Sequence, residues 1–359
     1  MMRALRIAFA SGLAALVAVA AGGLPARAQP AAGDAAGSIS VPAFAMPLSP
    51  FMSEAARNAF VDRQRNPPKI DFSSIERYRQ TLDEAYLGPL LARQRALYKV
   101  EIASAVIGGV KADIVTPVAG ESHRERVLIN LHGGGFVVGG GGVGGQLESV
   151  PIAGLGRIKV VTVDYRQGPE FRFPAGSEDV AAVYRELLKT HRAENIGIYG
   201  CSAGGMLTAM SVAWFQKHGL PRPGAIGIFC AAATPLEGDS QTTAGRLMGE
   251  RPRPGGAQPM GYFAGTDPKD PLVNPAASDA VMAAFPPTLL ITGTRAMDMS
   301  GAVETHRVLS RVGVESDLLL WDGMWHAFFY DPDLPESQEV YAAAVRFFDR
   351  HLGRRPAAK

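Results

Sequence analysis

The chain is poor in cysteine. It has only Cys201 and Cys230 in 359 residues, so no disulfide framework holds it and a hydrophobic core must. It also lacks an excess of charge of either sign. Lys and Arg total 36 against 34 Asp and Glu, a formal net charge of +2, which gives neither nucleic acid nor an acidic membrane surface a reason to bind. No internal repeat is apparent. What the chain has is length and apolar content. With 47% hydrophobic residues it can bury a large core, as one big α/β domain or two smaller ones.

The first residues stand apart from the fold. Arg3 and Arg6 precede an apolar run from Ile7 to about Leu24, and Ala26-Arg27-Ala28 follows as a small-x-small site. This is the pattern of a signal peptide over residues 1–28. A membrane anchor is the competing reading, but the apolar core is short and broken by glycine. Export to a periplasm or beyond is therefore expected, with no stable membrane insertion once the leader is cut. Residues 29–46, rich in Ala, Gly, Pro and Ser, read as a disordered tether.

From Pro47 to Leu97 apolar residues recur three and four apart, which predicts helices on either side of Pro67-Pro68. "YKVEIASAVIGGVKADIVTP" then predicts a β-hairpin turning at Gly108-Gly109. Beyond it lie "RVLINLH", "IKVVTVDYR", "NIGIYG", "AIGIFCA", "PTLLITG" and "SDLLLWDG". Each is short, apolar and β-branched, as strands buried on both faces are. Helical patterns separate most of them. The fold class is thus α/β, a mostly parallel sheet with helices on both faces. Residues 235–286, rich in Gly, Pro and polar side chains, break the alternation. With the helices of 47–97 they are expected to form a cap over a catalytic domain of residues 98–359.

Three stretches can carry chemistry. Gly200-Cys201-Ser202-Ala203-Gly204 lies between a strand and a helix, the setting of a nucleophile elbow. Glycine at both second neighbours lets strand and helix close together, and the central side chain projects at the helix N-terminus. Ser202 is central; Cys201 is one residue off. "LINLHGGGFVVG" follows another strand, and its glycines can bring backbone N–H groups up to an oxyanion. Gly133 and Gly134 are the expected donors, joined by Ala203, with His132 bracing the loop. The second glycine run, Gly139 to Gly145, reads as a flexible linker. "WDGMWHAFF" supplies His326 after the last strand, the base that a serine hydroxyl needs. His123, His191, His218, His306 and His351 read as surface residues. The acid should follow "PTLLITG", and Asp298 is the carboxylate there; Asp322 is too near His326, and Asp267 and Asp270 fall in the expected cap.

Taken in order, His132-Gly133-Gly134-Gly135-Phe136, "VDYRQGPEFRFPA", "GCSAGG", "DPKDPLVNP" and "GMWHAFF" resemble the hormone-sensitive-lipase-like esterases of the α/β-hydrolase fold, also called bacterial family IV. The resemblance covers the chain from about Leu97 onward. It implies Ser202 as nucleophile, His326 as base, an oxyanion hole of Gly133, Gly134 and Ala203, and a cap. It also implies hydrolysis of short-chain acyl esters as small-molecule substrates, with no cofactor and no metal. Three departures stand out. The family's usual acid before the nucleophile is Cys201 here. The family's Asp-Pro-Leu-Arg-Asp-like motif would put its first Asp at Arg295, so Asp298 is displaced. "GGGGVGGQLES" replaces the usual sequence after the oxyanion loop. Asp164, Arg166 and Glu170 read as buried structural links. An amidase, a lactonase or a polyester hydrolase would use the same triad, and a non-catalytic binding protein could keep the scaffold. Substrate, oligomeric state and any pairing of Cys201 with Cys230 stay open.

Overall fold

The computed structural model describes Val41 and residues 43–248 and 261–353. The fold lies within the unit Leu48–Lys359. Residues 1–28, expected to be a signal peptide, lie outside the described residues, as does most of the expected tether.

The N-terminal helices form where the apolar spacing places them. They are α1 (Glu54–Arg65), α2 (Ile75–Leu82) and α3 (Gly88–Leu97), with a π turn at Asp83–Leu87 between the last two. Ser53 and Ser74 cap α1 and α2, each hydroxyl accepting a backbone N–H of the first turn. The hairpin follows as β1 (Val100–Ile107) and β2 (Val110–Pro117), turning at Gly108-Gly109.

The expected strands are β3 (Val127–Leu131), β4 (Lys159–Val163), β5 (Ile196–Cys201), β6 (Ala225–Phe229), β7 (Thr288–Gly293) and β8 (Ser316–Trp321). They join one eight-stranded sheet in the order β1-β2-β4-β3-β5-β6-β7-β8. Pairing is parallel from β4 to β8 and antiparallel only at β1, β2 and β4. The remaining helices are α4 (Val143–Gly156), α5 (Ala175–Leu187), α6 (Ala203–Lys217), α7 (Asp239–Leu247), α8 (Asp279–Ala283), α9 (Met299–Arg311) and α10 (Pro335–His351).

Two apolar clusters cover the two faces of the sheet. Leu147, Val150, Tyr199, Phe229, Phe347 and Phe348 belong to one, with α4 and α10. Ile196, Ile198, Leu207, Ile226, Leu290 and Leu309 belong to the other, with α6 and α9. Strand β5 gives alternate residues to each, as a strand with period two must when both faces are buried. β8 departs from that expectation: it pairs only with β7, and its residues are half-buried or exposed.

Three further readings are corrected. Gly139 to Gly145 is not a linker, because α4 begins within it. A Cβ on Gly145 would stand 2.1 Å from Thr162 Cγ2, so glycine there permits close helix–strand packing. His351 is buried, packed on the Phe347 ring 4.5 Å away. Asp164 and Glu170 are exposed, but they do link structure. Asp164 accepts the Gly141 N–H, and Glu170 accepts the Arg79 guanidinium, which also donates to the Val137 and Gly168 carbonyls. That arginine fastens α2 to the loop after β3. Of the expected cap insertion, residues 249–260 lie outside the described residues.

Candidate active site

The turn after β5 is strained where the motif requires it. Ser202 has φ 57° and ψ −123°, a region that costs a residue other than glycine about 1–3 kcal/mol. Its N–H donates to the Phe229 carbonyl at 2.8 Å, which fixes the turn to β6. A Cβ on Gly200 would lie 2.1 Å from the Leu131 carbonyl oxygen, and one on Gly204 only 1.7 Å from it. No side chain fits at either position, so strand β3 and helix α6 can approach only over glycine. The hydroxyl of Ser202 thus projects where α6 begins.

Ser202 Oγ lies 3.0 Å from His326 Nε2, and His326 Nδ1 lies 2.7 Å from Asp298 Oδ1. Both are hydrogen-bond distances, across 124 and 28 residues of chain. Asp298 is fully buried at the N-terminus of α9, and its second oxygen accepts the Thr292 hydroxyl at 2.5 Å. His326 sits on the loop after β8, partly open to solvent. Thr294 steadies that loop: its hydroxyl accepts the Gly323 N–H and donates to Asp322. The carboxylate holds the imidazole with its Nδ1 proton inward, leaving Nε2 to face the serine.

Cys201 is not placed for attack. Its side chain is fully buried, and burial raises its pKa well above the ordinary thiol value. A thiol kept protonated is a poor nucleophile. Its hydrogen-bonding neighbours are Tyr330 and Cys230, the latter also buried and free, with its sulfur accepting the Ala327 N–H. Cys230, Asp298 and His326 bring one potential metal ligand each within 4.8 Å of one another, but Asp298 and His326 already bond each other there.

The loop after β3 faces the serine. A Cβ on Gly133 would lie 3.4 Å from Ser202 Cβ. Of the three expected oxyanion donors, Gly133 is committed elsewhere, because its N–H donates to Glu148 Oε1 at 2.8 Å. Among the described residues the N–H groups of Gly134, Gly135 and Ala203 have no protein acceptor. The open amide of Gly135 is not singled out in sequence, because three equivalent glycines do not reveal which amide is engaged. His132 is fully buried, with Nδ1 2.7 Å from the Gly133 carbonyl and its ring stacked on Tyr165. Burial pushes its pKa down to about 4, so it is neutral at ordinary pH and serves as a brace.

Beneath this loop lies a side chain that sequence reasoning did not single out. The carboxylate of Glu148, on α4, accepts hydrogen bonds from Gly133 N–H, Cys201 N–H, Asn130 Nδ2 and the Tyr330 hydroxyl. Burial pushes its pKa up to about 7 against the opposing pull of these donors. Aromatic residues line the other flank. Phe136 stacks on Tyr262, which returns from the insertion, and Phe60 of α1 packs on Trp325 beside the histidine.

Residues 128–330 match the model of a family described as having the α/β hydrolase fold. An acetyl-hydrolase of Streptomyces hygroscopicus is 29% identical over 261 residues, which cover 69% of this chain and 82% of the relative. The crystal structure of an esterase, E25, is 29% identical and superposes with a TM-score of 0.75, covering 88% of this chain and 99% of its own. A bacterial esterase of the hormone-sensitive lipase family shares the fold at 24% identity and a TM-score of 0.72, covering 86% and 100%.

Proposed function

The chain belongs to the α/β-hydrolase fold family and is a carboxylic ester hydrolase, and from that premise we propose that it is a hormone-sensitive-lipase-like esterase acting on short-chain acyl esters through Ser202. The observation that carries this reading is the relay of Ser202 to His326 to Asp298 at 3.0 and 2.7 Å. The serine oxygen attacks the acyl carbon while His326 Nε2 takes its proton. Charge gathers on the former carbonyl oxygen, and the free N–H groups of Gly134, Gly135 and Ala203 receive it. The C–O bond to the alcohol then breaks, and His326 returns the proton to the leaving oxygen. Water, deprotonated by the same imidazole, attacks the acyl-serine and frees the acid, restoring Ser202. Asp298 accepts the Nδ1–H and holds the imidazolium formed in each half.

The similarity to an acetyl-hydrolase supports a short acyl group. Nitrophenyl esters of graded chain length test this: turnover should be highest on acetyl to butyryl esters and at least about tenfold lower on decanoyl. Preference for the long chain would overturn the short-chain reading. Export is part of the proposal and rests on Arg3, Arg6, the apolar run and Ala26-Arg27-Ala28. Fractionating cells and sequencing the mature N-terminus should give Gln29 outside the cytoplasm; an intact Met1 in the cytoplasm would contradict it.

A further inference from the structure

We propose that Glu148 is the positioning residue of this active site: its carboxylate locks the oxyanion loop, the nucleophile elbow and the histidine loop into one register. The geometry is specific. Oε1 accepts the Gly133 N–H at 2.8 Å and the Tyr330 hydroxyl at 2.6 Å. Oε2 accepts the Cys201 N–H and Asn130 Nδ2, each at 3.0 Å. Gly133 immediately precedes the free amides of Gly134 and Gly135. Cys201 immediately precedes Ser202. Tyr330 closes the short turn Phe328–Tyr330 that follows His326. One side chain therefore touches all three loops that meet at the serine, without touching the serine itself.

Three of the four partners are N–H groups that can only donate, and the Tyr330 hydroxyl donates as well, so the lone pairs of one carboxyl group serve all three loops. Among the described residues Glu148 has no cationic partner, and it is 5% exposed. A buried charge without a counterion is expensive, and a packed apolar residue would stabilise the core more cheaply. Its retention makes sense if it fixes geometry. Its seat is rigid: Tyr199 donates to the Glu148 backbone carbonyl, and Ser149 bridges Thr162 and the Gly145 carbonyl. Oxyanion donors act only when held in place before the reaction, and a displacement of ~1 Å can cost about 100-fold.

The inference rests on Ser202 as the nucleophile, and its test separates the two. Glu148→Gln preserves shape, but its amide nitrogen must face at least one N–H donor. Turnover of nitrophenyl acetate is measured per serine titrated with a fluorophosphonate, so misfolded protein is not counted. The expected result is kcat about 30- to 100-fold lower with KM within about threefold, and affinity for a boronic acid that mimics the tetrahedral oxyanion weakened to a similar extent. Glu148→Asp should regain part of the loss. A merely structural role would lower Tm and the titratable fraction but leave kcat per titrated serine unchanged, and that result overturns the proposal. If Glu148→Gln does not fold, Tyr330→Phe decides: it removes one of the four donors, and kcat per titrated serine should fall about 3- to 10-fold. No fall overturns the proposal. Wild-type protein that takes no label at Ser202 would overturn the nucleophile and the positioning together, whereas labelled wild type with an unaffected Gln variant overturns the positioning alone.

Discussion

Ser202 and the loop after β3 sit at the centre of the sheet, whereas Asp298 and His326 follow β7 and β8 at its edge. The two halves are held by different physics. The nucleophile half is fixed by backbone sterics: Gly200 and Gly204 leave no room for a methyl group, and φ at Ser202 is forced positive. The base half is fixed by side-chain hydrogen bonds, from Thr292 to Asp298, from Thr294 to Asp322 and from the Gly323 N–H to Thr294. Sterics fail abruptly, because overlap cannot be shared out. The Thr294 hydrogen bonds fail gradually, because water can take over a lost partner at that half-buried site.

The chemistry itself spans both halves and should show the largest losses. Ser202→Ala should lower kcat on nitrophenyl acetate by more than about 10⁴-fold with the fold intact by circular dichroism. Residual turnover within tenfold of wild type would place the nucleophile elsewhere. Asp298→Asn should cost roughly 10²- to 10⁴-fold, since an amide presents the imidazole with the wrong hydrogen-bonding partner. If Asp322→Asn cost more, the acid would have to be reassigned.

A paired measurement then sharpens the contrast between the halves. Gly204→Ala should destabilise by roughly 3 kcal/mol in thermal or urea unfolding and leave about 1% of activity, because its Cβ meets a backbone oxygen that cannot move alone. Thr294→Ala should lower kcat only about 3- to 10-fold with Tm nearly kept. Equal losses would erase the distinction.

The smallest effect concerns pH. Burial raises Glu148 to about 7 from 4.5, so between those values the fold binds a proton that the unfolded chain has released. Its contribution to stability is therefore full below pH 4.5 and declines as pH rises through 7. The stability of wild type relative to Glu148→Gln, followed by urea unfolding, should fall over that window. A rise would mean the four donors outweigh burial.

Much of this molecule is legible in sequence, and what escaped has a common cause. The strands show as β-branched runs, the elbow as a glycine spacing and His326 by following the last strand. Asp298 stands out as the carboxylate on its loop. Helix α4 does not show, since "VGGQLESVPIAGLG" is rich in glycine, contains Pro151 and is buried along most of its length, leaving no amphipathic stripe. Glu148 lies within it, and its meaning depends on partners 15 to 182 residues away. The same holds for Gly133, whose amide is spent on that carboxylate. The sequence departs from the esterase pattern at Cys201, where an acid is usual; the structure brings an acid to that backbone from another helix.

By this mechanism Ser202, and not the adjacent Cys201, forms the acyl-enzyme. Tandem mass spectrometry of the peptide labelled by a fluorophosphonate tests it most directly. One adduct on Ser202, abolished by prior denaturation and by His326→Ala, is the expected result. An adduct on Cys201, or none on active protein, would contradict it.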